Sequence, residues 1–383
     1  MFKKIFILCL LIYILNFIFR IIFFKWAIVY NGSLGGSNMD ALFWTSKDVY
    51  SLSPLWYFLV KIIGSNFKLL WIINFISTLI SIWLMYLILN YFNFSQFTKS
   101  IILLSSVLSP YILFSSLKVR PDTMAMLLSI LSLYLALKNK PILSGISYGF
   151  SIFGFKIQFV VWLFILLFTN RKNILKFIFS FGLLFIVYYF FLLDFEKLTF
   201  FKSFGSNVSP LLDIHKNITY QTPYSILGFF SQLGFLYILG FLLPLFNYAL
   251  ILPPFPLRSL YSNFILNLSS GFLIEKSKNF KIMSILLFSI QLIILVYKFA
   301  LDIRGLIIEN KFYQKIYELK YVCANEFPAH LYVLKKEPIE CKYYIISDGS
   351  LHKSEILNLE NYKIIYKVED AFSIKNFIKS RLF

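Results

Sequence analysis

The chain has 383 residues, 59% hydrophobic and 20% aromatic, with a mean hydropathy of +0.75. That composition lies far outside the range of soluble domains and excludes an ordinary water-soluble enzyme or binding module. The net charge of +19 does not point to nucleic acid, because the basic residues fall in short clusters between apolar runs rather than on one stripe or arm.

Apolar stretches of about 20 residues, the length that crosses a bilayer as a helix, recur along the chain. The first, Phe6 to Phe24, is too long for a cleaved signal peptide and no small-residue cleavage site follows it closely, so it reads as a retained span with Arg20 near its end. Residues 25–67 form a first large loop that holds Asp40 and Asp48, then Ser53 to Val60 with Trp56 and Tyr57. This last stretch is apolar, aromatic and too short to span, and it reads as a helix along the membrane interface. Further on, Ser100 to Ser116 and Thr123 to Leu137 are apolar runs joined by Leu117 to Asp122, which carries Arg120, Pro121 and Asp122. Pro141 to Thr169 is apolar but interrupted by Lys156, and Phe177 to Leu193 opens a second large loop over 194–222. Pro223 to Leu257 reads as a span plus a shorter one ending at Pro253, Pro254 and Pro256, since prolines end helices, with Arg258 just past that end. Ser259 to Ile274 and Ile282 to Phe299 complete the set.

Basic clusters orient these runs. Lys3 and Lys4, Lys99, Lys138 and Lys140, Arg171, Lys172 and Lys176, and Lys276, Lys278 and Lys281 all lie in short connections, which the positive-inside rule places in the cytoplasm. With both 138–140 and 171–176 inside, the segment between them crosses an even number of times. Its turning point falls at Gly154, Phe155 and Lys156, on the outer face with Arg120 and Asp122. Lys25, Lys47, Lys61 and Lys68 fall outside in the same count. The expected fold is an all-α polytopic membrane protein of about eleven transmembrane helices over residues 1–300, amino terminus in the cytoplasm. Residues 301–383 have the mixed polarity of a small soluble α/β domain outside it. That domain is expected to hold a helix around Ile303 to Leu319, strands near Leu331 to Val333, Tyr343 to Ile346 and Lys363 to Tyr366, and a closing helix from Ser373. Cys9 lies within a span, and Cys323 and Cys341 can pair only if the tail is outside the cytoplasm.

Ionisable groups at or near membrane depth are costly, so Arg120, Asp122 and Lys156 are functional-site candidates. Each has a plainer role beside it. Arg120 and Asp122 would cap two helix ends, with Pro121 in a first turn, and Lys156 would snorkel to the headgroups.

Four elements in this order resemble the membrane glycosyltransferases with the GT-C fold, the group of the protein O-mannosyltransferases and the bacterial aminoarabinose transferases. They are an acid in the first outer loop followed by the interfacial Pro54, Leu55 and Trp56; Leu108, Ser109 and Pro110 before Arg120, Pro121 and Asp122; the small-residue span Leu143 to Gly149; and its end at Gly154, Phe155 and Lys156. The resemblance covers residues 1–200 well and the rest loosely. It implies transfer of a sugar from a polyprenyl-phosphate carrier to a glycan, lipid or protein hydroxyl on the extracytoplasmic side of the cytoplasmic membrane. Asp40 matches the family's catalytic acid. The chain has Ala41 next to it where an Asp–Glu pair is commoner, which leaves Asp48 as the neighbouring acid. Arg120 and Lys156 match positions near the carrier phosphate, with Arg258 and Arg304 as weaker additions, Asp122 orienting Arg120, and Trp56 and Tyr57 flanking the entrance.

General chemistry agrees. A carboxylate can take the proton of an acceptor hydroxyl, and the negative charge growing on the leaving phosphate needs fixed cations or a divalent metal, for which no Asp-x-Asp pair is present. The alternatives are a polysaccharide polymerase and a lipid-linked sugar flippase or transporter. A transporter would be expected to show repeated halves, and no internal repeat is evident.

Overall fold

In a computed structural model, the described residues are 1–24, 53–63, 67–109, 112–113, 120–155, 162–188, 190, 263–318, 322–325, 343–346, 358–359 and 362–366. They are mostly helical. The helices are α1 (Phe2–Phe23), α2 (Pro54–Ile63), α3 (Phe67–Tyr91), α4 (Gln96–Val107), α5 (Asp122–Leu137), α6 (Pro141–Gly149), α7 (Leu163–Thr169), α8 (Ile174–Val187), α9 (Asn263–Lys276) and α10 (Lys278–Glu318). A π-helical segment, Phe150–Phe155, continues α6 directly. Among the described residues three helices are long and apolar enough to cross a membrane, over Phe2–Phe23, Leu69–Tyr91 and Lys278–Tyr297, consistent with an all-helical membrane protein.

Side-chain placement is inverted relative to a soluble bundle. On α3 the polar Asn74, Ser77, Thr78 and Ser81 are buried, and Ile72, Ile76, Ile80 and Trp83 are exposed. On α1, Ile7, Leu8, Leu11, Leu15 and Ile18 face outward while Tyr13 and Arg20 are buried. Such an exterior would be costly in water and suits hydrocarbon, where helix association relies on close packing and interhelical hydrogen bonds.

Those interhelical contacts also fix the directions of the helices. The Phe2 and Phe6 rings stack on Tyr86 and the Phe17 ring on Phe75, so α1 and α3 run antiparallel. Between α5 and α6 the pairs Ser132 with Ser144, Ser147 with the Leu128 carbonyl, and Ser151 with the Ala125 carbonyl descend in antiparallel register. Small residues permit this approach. A Cβ at Gly145 would lie 2.6 Å from the Phe177 carbonyl oxygen of α8, and one at Gly149 2.6 Å from Leu184.

All five basic clusters thereby meet at one end of the bundle. The Phe2 amide donates to Gln96 Oε1 (3.2 Å), and Ser95 donates through its amide and hydroxyl to Glu275 (2.8 and 2.7 Å). Lys138 Nζ lies 5.9 Å from the Tyr91 ring at the end of α3. The Asn170 amide donates to Ser144 Oγ (3.3 Å), which brings the turn before α8 beside the start of α6. Glu275 is the carboxylate among these cations in the described residues. Its partial burial raises its pKa, but hydrogen bonds from Thr98 and Ser95 and the charge of Lys281 outweigh that and hold it below the ordinary carboxylate value.

Two stretches depart from the sequence expectation. The apolar run from Ser100 to Ser116 is not one helix: α4 stops at Val107, three residues before Pro110, which has no N–H to offer and restrains the residue before it. Side chains of other helices receive carbonyls near this break. Gln291 Nε2 of α10 donates to the Ser105 and Leu108 oxygens (2.8 and 3.3 Å), and Asn16 Nδ2 of α1 to the Leu113 oxygen (2.8 Å). Conversely, the helix expected around Ile303 is not separate from the last span. It is the distal part of α10, 41 residues in all and about 62 Å long at 1.5 Å per residue. No proline interrupts it, and Ile303 and Leu306 pack with Phe17, Phe24 and Trp71.

Among the described residues four strands follow: β1 (Val322–Asn325), β2 (Tyr343–Ile346), β3 (Asn358–Leu359) and β4 (Tyr362–Tyr366). They form one sheet of order β1-β2-β4-β3, parallel from β1 through β4 and antiparallel between β4 and β3. The strand over 322–325 was not anticipated from the sequence. The stretch expected at Leu331 to Val333, the closing helix from Ser373, and residues 194–257 lie outside the described residues.

Two outcomes follow. Gly145→Ala should destabilise the detergent-solubilised protein by about 1–3 kcal/mol through overpacking against the α8 backbone. Gly182→Ala, where an added Cβ meets nothing within 4 Å, should leave the thermal midpoint unchanged or higher. Acidification should weaken the Ser95–Glu275 link: its contribution is full above the ordinary carboxylate pKa and lost as pH falls through the lower folded value. The pH dependence of the midpoint should therefore flatten at the acid end in Glu275→Gln.

Candidate functional site

At the end of the bundle away from the lysine clusters, α5 begins with Asp122, and Arg120 immediately precedes its Pro121 cap. Arg120 Nε and Asp122 Oδ2 form an ion pair at 2.9 Å. The two side chains differ in access: 27% of the arginine's surface is open and 8% of the aspartate's. Asp122 also sits in the first turn of α5, where the helix dipole favours a negative group.

A buried residue of the neighbouring helix holds this turn on both sides. Asn74 of α3 donates from Nδ2 to the Arg120 carbonyl (3.1 Å) and accepts at Oδ1 from the Thr123 hydroxyl (2.6 Å). One turn on, Ser77 donates to Met124 Sδ (2.8 Å). The register of α5 against α6 and the π-helical segment brings Phe155 to the same end, and Lys156 is the next residue in the chain.

Helix α2 and the serine before it dock on that segment. The Ser53 hydroxyl donates to the Phe155 carbonyl, and Leu55 fills the space that a side chain at Gly154 would need. Pro54 opens α2, an ordinary place for a residue without an N–H. Trp56 is fully buried in the main core, and the half-buried Tyr57 packs edge-on against Phe58 (5.8 Å). π-helical turns are rare and often mark functional sites.

Of the residues singled out in the sequence, Arg120 and Asp122 are brought into direct contact. Asp40, Asp48, Lys156 and Arg258 lie outside the described residues, as does the side chain of Arg304. Among the described residues no group of three His, Cys, Asp or Glu side chains is placed to hold a metal ion. Sequence reasoning passed over Asn74, Asn16 and the surroundings of Arg20. Arg20 is buried, donates from Nε to Asn16 Oδ1 (2.9 Å) and stands 6.0 Å from the Phe299 ring. The available signal was the polar residue inside each apolar run, which a membrane environment makes expensive.

Comparison with known protein families, with characterised proteins and with solved structures finds no match to this chain.

Removing the bridge at Asn74 tests its role in the turn. Asn74→Ala should cost about 1–3 kcal/mol, because the Arg120 carbonyl and the Thr123 hydroxyl lose a buried partner together. Thr123→Val should cost less, and the double variant little more than Asn74→Ala alone, as read from thermal unfolding of the purified protein.

Proposed function

We propose that the chain is an integral membrane glycosyltransferase that moves a sugar from a polyprenyl-phosphate carrier to an acceptor hydroxyl. The observation that carries this reading is the Arg120–Asp122 pair, placed at the end of the bundle opposite the five basic clusters. With those clusters on the cytoplasmic side, the pair faces the extracytoplasmic side of the cytoplasmic membrane, the amino terminus is inside and the region after α10 is outside. The reading includes about eleven spans in residues 1–300, of GT-C type, and a small α/β domain in the part of 301–383 that follows α10.

In this proposal the acceptor oxygen attacks the anomeric carbon while the bond from that carbon to the phosphate oxygen breaks. The bonding pair leaves with the carrier as polyprenyl phosphate. Asp40 takes the acceptor's proton. Arg120, held by Asp122, and Lys156 meet the growing negative charge, the arginine through a planar fork and the lysine as a point charge. Arg258 adds a further cation. The arrangement at Arg120 supports this division of labour, since the acid is the more enclosed partner and the arginine the more open one.

The test is donor turnover by the purified protein in lipid nanodiscs, offered a panel of polyprenyl-phosphate sugars with glycan, lipid and peptide acceptors. Release of polyprenyl phosphate from one donor is expected. Asp40→Asn should abolish it, and Arg120→Ala and Lys156→Ala should lower kcat/KM by about 10²-fold or more, the scale of removing one electrostatic contact to developing charge. A folded protein that releases no carrier phosphate from any donor would overturn the reading and favour a polymerase or flippase.

A further inference from the structure

The end of the bundle that carries the basic clusters has a corner with its own construction. Two turns lie side by side there, 138–140 after α5 and 170–173 after α7. They are tied by a buried network in which Asn170 donates to Ser144 Oγ (3.3 Å) and the Ser144 and Ser132 hydroxyls lie 3.0 Å apart.

The first turn is fixed by a Schellman closure. The Lys140 amide bonds to the Leu135 carbonyl (2.9 Å) and the Asn139 amide to the Ala136 carbonyl (3.0 Å), with Asn139 in the left-handed region at φ 54°. Lys138 and Lys140 therefore flank a backbone of defined shape. Aromatic faces position the charges: Lys138 Nζ is 5.9 and 5.8 Å from the Tyr91 and Tyr134 rings, and the Arg171 guanidinium is 5.5 Å from the Phe168 ring.

No carboxylate neutralises this corner from the helices that build it, because the sequence has no Asp or Glu between Asp122 and Asp194. The other basic corner, at Lys276 to Lys281, differs in having Glu275 within it. Phe168 beside Arg171 is exposed, and so are Leu143 and Leu175, three and four residues after Lys140 and Arg171. A soluble anion would use the cations and leave those side chains idle. A phospholipid uses both, phosphate on the cations and acyl chains on the apolar flank.

We propose that this corner is a binding site for an anionic phospholipid, its headgroup phosphate engaged by Lys138, Lys140 and Arg171 and its chains lying along Leu143, Phe168 and Leu175. The site is at the opposite end of the bundle from Arg120 and is independent of the proposed reaction.

The test is thermal unfolding and native mass spectrometry of the full chain in detergent, with dioleoylphosphatidylglycerol, dioleoylphosphatidylcholine or inorganic phosphate added. Phosphatidylglycerol alone should raise the midpoint and give discrete lipid adducts. The variant Lys138→Gln/Lys140→Gln/Arg171→Gln should bind it about a hundredfold more weakly, each basic residue near an anionic headgroup contributing several-fold. Lys138→Arg/Lys140→Arg should retain binding, which separates lost charge from lost folding. Lys276→Gln/Lys278→Gln/Lys281→Gln should also retain it. Equal effects of phosphatidylcholine, equal losses at both corners, or saturation by inorganic phosphate would each overturn the proposal.

Discussion

The constraint on which this structure depends is that its polar groups must find partners inside. The outward faces of α1, α3 and α10 carry large apolar side chains, isoleucine and leucine above all, and an apolar exterior offers no hydrogen bonds to a stray amide or carbonyl. The interior is accordingly where serine, threonine, asparagine and glutamine gather, and their bonds set the helix pairs. Ser129 meets Ser151 and Ser132 meets Ser144 between α5 and α6, Asn267 of α9 reaches Ser106 of α4, and Gln291 of α10 reaches Ser105. Each such bond is modest on its own, about 0.6 kcal/mol on average in a membrane protein. Their value is in selection: a helix rotated or slid by one residue would strand several of them at once.

The same constraint explains why helix breaks are possible here. Where α4 ends at Val107, carbonyls from Ser105, Leu108 and Leu113 accept from Gln291 and Asn16, residues that lie mid-helix on α10 and α1. The turn before α5 is held the same way, by Asn74 in the middle of α3. Irregular backbone is tolerated inside a membrane protein only when it is enclosed by such partners or lines a polar cavity. Asn16 of α1, Asn74 of α3 and Gln291 of α10 are thus the counterparts of the breaks, Asn16 and Gln291 at the end of α4 and Asn74 at the turn before α5.

How much of this was legible in the sequence follows from which signals are local. The apolar runs behind α1, α3 and the first part of α10 are local signals, and so are the basic clusters that meet at one end. The proximity of Arg120 to Asp122 needed only their spacing across a proline. Asn74, Asn16 and Gln291 stood in plain view as polar residues in apolar runs, but the carbonyls they receive are 46, 97 and 183 to 186 residues away. No window along the chain contains both partners. The unbroken run of α10 through Phe299 was missed for a different reason: the change from apolar to mixed composition marks where the membrane would end, not where the helix does. Nothing in the sequence marked the π-helical turn after Gly149, whose Ser151 and Gly154 pack against α5 and α2, partners distant in the chain.

The asymmetry of charge between the two ends then bears on what the Arg120–Asp122 pair can do. An arginine and an aspartate 2.9 Å apart cost far less in a poorly solvated place than either alone, which is why the pair can exist there. If the pair served only to neutralise itself, similar enclosure of both partners would suffice. Instead the aspartate is set into the first turn of α5, next in sequence to the Thr123 that bonds Asn74, and the arginine is the more open member. The Asn74 bridge fixes the Arg120 backbone and the aspartate holds its guanidinium. A cation fixed in that way needs no further ordering before an anion meets it. The basic residues at the other end are instead spread over the amino terminus and four helix connections or the helix turns beside them.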